Sequence, residues 1–129
     1  MENIITLIKS EPDYIGSNGR TNKEIKVAER ELGCKFAKDY REYLKEIGLA
    51  CFDGRELTGL TKNKRLDVVS VTKEQRNIFG ENTKDWYVVE ETNIDGIVIW
   101  QNTSGAVYKT IPNSEPYKIA DSLSEYFAE

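Results

Sequence analysis

The chain has 129 residues, 39% of them hydrophobic and 31% charged, with 22 Asp/Glu against 18 Lys/Arg for a net charge of −4. That length and balance predict one folded domain spanning residues 1–129 with its own core, and they exclude a disordered chain. Histidine is absent, which removes Ser-His and Cys-His nucleophile systems and the commonest metal ligand.

Residues 2–10 read as a short apolar helix, stopped by Glu11-Pro12-Asp13. Ile15 to Arg20 is a loop by composition. Thr21-Asn22-Lys23-Glu24 fits a capping box and opens a helix over 22–32 with Ile25, Ala28 and Leu32 inward, ended by Gly33. Phe36, Tyr40, Tyr43, Leu44 and Ile47 recur on one face of a second helix over 37–47, and Gly48 follows as its stop. Beyond Gly48 the period shortens. Strands are predicted at 50–53 and 56–60 around Asp53-Gly54, and Leu66 to Val71 reads as a further extended run. Thr72-x-x-Gln75 is predicted to cap a short helix over 73–79. Aromatic and β-branched runs predict strands at 86–92, 96–101 and 105–110, with Asp95-Gly96 as a hairpin turn, and a last helix closes the chain over 120–128. The result is α+β: an antiparallel meander with one face covered by helices. The expected core is Leu32, Phe36, Tyr40, Leu44, Ile47, Leu57, Val88, Ile99, Leu123 and Phe127.

Chemistry-bearing patterns are sparse. No GxxxxGK[ST] or GxGxxG loop occurs, and Cys34 and Cys51 read as two reduced, small apolar residues, with a disulfide the less favoured reading. No cofactor or metal is expected. The carboxylates Asp53, Glu56, Glu90, Glu91 and Asp95 read better as turn and strand residues than as a hydrolytic pair, so an enzyme is not expected. Glu56, in Glu-Leu-Thr-Gly-Leu, either accepts backbone hydrogen bonds in a buried turn or faces a ligand; Gly59 marks a close backbone approach or a bulge. Lys62, Lys64 and Arg65 read as a solvated loop rather than a nucleic-acid stripe. Residues 86–129 hold only Lys109 and Lys118 against seven acids, a bias that repels nucleic acid and favours a basic protein. No apolar run approaches the roughly 18 residues of a membrane span, and Met1 to Ile5 lacks a basic leader, so a cytoplasmic location is expected.

From about Ile25 onward the chain resembles the SUKH superfamily, which includes the yeast Smi/Knr cell-wall regulators and many bacterial toxin-immunity proteins. The resemblance is carried by Leu32-Gly33, Phe36, Tyr40, Leu44, Gly48, Phe52, Gly54, Glu56-Leu57, Gly59-Leu60 and the closing Ile119-Ala120-Asp121-Ser122-Leu123 through Phe127. The chain departs from the pattern at Ala37, where proline is usual, and at Ile47, where asparagine is common. Proline at 37 would be expected only to preset the first helical turn. The resemblance implies an immunity protein, a monomer or weak dimer that neutralises a cognate toxin domain, expected to be a basic, nucleic-acid-directed enzyme. The alternative it implies is a regulatory domain for an endogenous partner. Candidate partner-binding residues are Glu90, Glu91 and Asp95, with Tyr87 or Trp100 as aromatic neighbours and Asp53 and Glu56 as a second acidic group, because they join charge to aromatic area on short strands and turns.

Overall fold

Local capping decides where the first helices begin and end. In the computed structural model, which describes residues 3–128, α1 spans Ile4–Lys9 behind Asn3, whose side chain accepts from the Ile5 amide. Residue 2 of the predicted helix lies outside the described residues. α2 spans Asn22–Leu32: Thr21 Oγ1 accepts from the Glu24 amide at 3.1 Å, and Glu24 Oε1 accepts from the Thr21 amide at 3.0 Å. Gly33 then turns left-handed at φ 71°. α3 spans Lys38–Glu46 without a side-chain cap. Its N-cap, Ala37, instead donates its amide to Tyr87 Oη at 2.9 Å inside the core.

Two antiparallel sheets follow. The small one pairs β1 (Ile15–Gly16), β2 (Ala50–Phe52) and β3 (Arg55–Glu56) in that order. Asp53 and Gly54, both at positive φ (51° and 72°), form the two-residue turn between β2 and β3. The larger sheet is a meander of β4 (Tyr87–Glu91), β5 (Val98–Gln101), β6 (Val107–Thr110) and β7 (Tyr117–Ala120). α5 (Leu123–Ala128) closes the described chain.

Four expectations about individual elements need correcting. The predicted strand 56–60 pairs with β2 only through Glu56 and the Leu57 amide, which donates to the Ala50 carbonyl at 3.0 Å. From Thr58 the chain runs beside β4, where the Thr58 amide donates to the Val89 carbonyl at 2.8 Å, and Gly59 forms an isolated parallel bridge with Asp67. The predicted extended run 66–71 and short helix 73–79 are one helix, α4 (Val68–Phe79). Its cap is Asp67, whose carboxylate accepts from the Ser70 amide at 3.1 Å, and burial of Val68, Val71 and Thr72 on one face outweighs their β-branched preference. Thr72 is therefore no cap; its hydroxyl accepts from the Val88 amide at 2.9 Å and covers the free edge of β4. Third, Ile15 and Gly16, read as loop, pair with Cys51 and Ala50. Fourth, Tyr117–Ala120 pairs with β6, so the closing helix starts at Leu123 rather than 120.

The larger sheet also has helices on both faces rather than one. Tyr87, Val89, Ile99 and Val107 point into the main core with Phe36, Tyr40, Tyr43, Leu44 and Leu123. Val88, Val98 and Trp100 point the other way, packing with Val71 of α4, Phe79 and Trp86. β5 is buried along its whole length for this reason. Every expected core residue is buried except Phe127, which is half-buried against the main cluster.

Candidate functional site

The two Asp-Gly turns position the outward acids. Asp95 and Gly96 both have positive φ (53° and 73°), and the Ile97 amide closes the turn onto the Ile94 carbonyl at 3.0 Å. This is the geometry of a type I′ turn, which Asp and Gly tolerate best. It holds Ile94 out in solvent at 62% exposure. Asp53 takes the matching position between β2 and β3, and its amide donates to the Asp13 carboxylate at 2.8 and 2.9 Å.

Glu56 and Glu91, separate in sequence, converge on one small cleft with Arg65, Leu66 and Asn93. Arg65 clamps Glu56 with two hydrogen bonds of 2.8 and 3.0 Å, and this bonding holds the Glu56 carboxyl below its ordinary pKa. Glu91 Oε2 accepts from Gln75 Nε2 at 2.6 Å. On its other side lies a groove of about 240 Å³, lined by Ile78, Ile97 and Pro112 among others. Ile78 is 63% exposed there. Asn93 and Gly96 also line this groove, so the turn that carries the exposed Ile94 and Asp95 borders it, and the surface sets acids (Glu56, Glu91, Asp95) near bare aliphatic side chains (Ile78, Ile94).

Of the other four candidates, Asp53 sits on the separate β2–β3 turn, and the remaining three are not at the surface. Tyr87 and Trp100 are fully buried and Glu90 is 4% exposed, so none can touch a partner. Tyr87 Oη accepts from Ala37 and donates to Gln101 Oε1. Trp100 Nε1 donates to Thr110 Oγ1 at 2.8 Å under α4. Glu90 faces α5 because the ladder slips by one residue between Val88 and Glu90, and there it accepts from the Tyr126 hydroxyl. Burial is the main cause of its raised pKa, opposed by the Tyr126 hydrogen bond and by Arg55. Arg55 in turn lies over the Phe52, Tyr126 and Phe127 rings at 5.4–5.9 Å.

Comparison with known families fixes the relationship. A family model described as SUKH_5, SMI1-KNR4 cell-wall, matches residues 1–129. The chain belongs to the SUKH family. No curated protein matches it.

Within this SUKH domain the Glu-Leu-Thr-Gly-Leu segment is a junction, and Thr58 is its centre. Its hydroxyl bonds Tyr40 Oη (2.8 Å) and the Val88 carbonyl (2.7 Å), while its own carbonyl accepts from Tyr43 Oη at 2.9 Å. Gly59 answers to a close approach: a Cβ there would lie 2.0 Å from the Gly48 carbonyl oxygen. Glu56 does not accept backbone hydrogen bonds in a buried turn; Arg65 is its partner instead, and its side chain stays 42% exposed. Sequence reasoning missed Arg65, Gln75, Ile78 and Ile94 as members of the face. The available signal was Ile78, an aliphatic residue four positions beyond Glu74 on the polar side of α4. Among the described residues no group of three or more His, Cys, Asp or Glu could hold a metal ion, Cys34 and Cys51 are free thiols, and no helix is long and apolar enough to cross a membrane.

Proposed function

We propose that this SUKH domain is an immunity-type binding protein, which neutralises a basic toxin domain by covering its active site. The supporting observation is the single face that joins Glu56, Glu91 and Asp95 to the exposed Ile78 and Ile94. Carboxylates of this kind steer a basic partner and speed encounter. Exposed aliphatics beside them supply the area that slows dissociation. The I′ turn and the Arg65 clamp hold the face in one conformation before binding, which lowers the ordering cost. A stable complex needs about 800 Å² from each partner, so the interface would extend past these five residues, with Asp53 on the neighbouring β2–β3 turn as a candidate.

The cell-wall wording of the family model favours a second reading, a regulatory domain that presents the same face to an endogenous partner. Co-expression separates them. A toxin domain encoded beside this chain should kill cells alone and spare them when the SUKH domain is present, and calorimetry should give one-to-one binding. Failure to protect against that toxin, with no complex formed, would contradict the immunity reading; unaided turnover of a substrate by the SUKH domain would contradict both.

A further inference from the structure

A groove along α2 carries the opposite charge to the acidic face. It has a volume of about 840 Å³ and runs along α2 to the turn at Gly33. Its floor holds Ile25 and Cys34, and its walls carry Lys26, Arg30, Lys35 and Arg41. The one acid lining it, Glu29, is already used: its Oε2 accepts from the Phe36 amide at 2.8 Å and from Arg41 Nη2 at 3.2 Å. Lys26, Arg30 and Lys35 are exposed and make no ion pair among the described residues. Arg76 adds positive charge behind the floor, satisfied by the Leu32 and Trp86 carbonyls and by Cys34 Sγ rather than by a carboxylate. Burial raises the Cys34 thiol pKa, with Arg76 opposing, so that side chain presents a neutral surface. The left-handed turn at Gly33 leaves the groove mouth open, since a Cβ there would meet nothing within 4 Å.

We propose that this groove binds an acidic peptide segment, an extended stretch with two or three carboxylates flanking one apolar side chain. Three unpaired cations around an apolar floor complement that pattern, and the surface is separate from the acidic face, so the inference does not rest on the toxin reading. Nucleic acid fits less well. Duplex DNA carries one charge per about 1.7 Å and would bring many phosphates against a chain of net charge −4. No aromatic side chain lines the groove to stack a base.

The test uses a fluorescein-labelled peptide reading Gly-Asp-Glu-Leu-Glu-Gly, followed by anisotropy, with amide shifts in NMR spectra locating the site. Binding should weaken with salt, shift amides within residues 22–41, and weaken further when the peptide leucine becomes serine. The pair Lys26→Glu and Arg30→Glu should reduce affinity about tenfold or more, while Glu91→Gln with Asp95→Asn should leave it unchanged. Lys35→Glu alone, in the turn outside α2, should weaken binding in the same direction if the helix pair proves unstable. Unchanged affinity in these variants, or shifts confined to another surface, would overturn the proposal. Tighter binding of an oligothymidylate than of the peptide would overturn it in favour of nucleic acid.

Discussion

Ala37 departs from the family's usual proline, and the structure gives the departure a physical reason that can be measured. Ala37 sits at φ −66° and ψ 160°, a conformation proline adopts freely. On backbone grounds alone, Ala37→Pro should stabilise the fold by about 0.4–1 kcal/mol through the unfolded chain. The Ala37 amide, however, donates to Tyr87 Oη at 2.9 Å in the interior. Proline removes that donor, sets its Cδ where the hydrogen pointed, and leaves a buried phenol oxygen with only its own donated bond to Gln101. A buried acceptor left unpaired costs about 1–3 kcal/mol. The ring's crowding against Tyr87 adds to that cost, so the net effect should be a loss of about 1–3 kcal/mol. Urea denaturation followed by tryptophan fluorescence would measure it, and Tyr87→Phe provides the control. In the Tyr87→Phe background the hydroxyl is already gone, so Ala37→Pro should cost much less. Stabilisation by proline in the wild-type background, or an equal cost in both backgrounds, would refute the reasoning.

Leu44→Ala should cost about 2–5 kcal/mol, because this side chain is fully buried in the main cluster; less than half a kcal/mol in chemical denaturation would contradict that packing. Gly59→Ala should cost about 1–3 kcal/mol or more, since the added methyl meets the Gly48 carbonyl and the segment is pinned by the Gly59–Leu66 and Val68–Gly59 backbone bonds; an unchanged melting temperature would show that the two glycines do not touch. Glu90 gives a pH dependence. Burial raises its pKa above the ordinary 4.5, so the folded state holds the proton more tightly than the unfolded chain. Its penalty is complete above the folded pKa and is relieved as pH falls through that pKa towards 4.5. Glu90→Gln keeps an acceptor for Tyr126 and removes the charge, so it should be the more stable form at neutral pH, with the difference shrinking as pH is lowered. A difference that widens on acidification would reverse the assignment.

What could be read from the sequence was what is decided within a few residues. The Thr21–Glu24 box and the Asp53-Gly54 and Asp95-Gly96 turns fix their own geometry, and the helix over 22–32 matches the structure to the residue. The Val68-Val69-Ser70-Val71 run misled because propensity favours a strand, whereas Asp67 and a buried helical face decide for a helix. Tyr117–Ala120 was hidden because its strand depends on pairing with β6 across two prolines. Tyr87, Glu90 and Trp100 were misplaced for a related reason. Charge and aromaticity mark a residue as useful at an interface, but only the covering of both sheet faces, and the slip at Val89, determine that these three point inward. Arg65 joined the site through a contact with Glu56 that no local pattern announces.

The central claim is that the Glu91–Asp95 face receives a basic partner, and the association rate tests it most directly. Glu91→Gln with Asp95→Asn removes two charges while keeping an acceptor for Gln75 and a residue that tolerates positive φ. Stopped-flow mixing with the cognate toxin domain should be slowed about five- to tenfold at low salt, with the two rates converging at high salt and the melting temperature held. Equal association rates for wild type and variant at low salt would contradict the account and put the interface elsewhere.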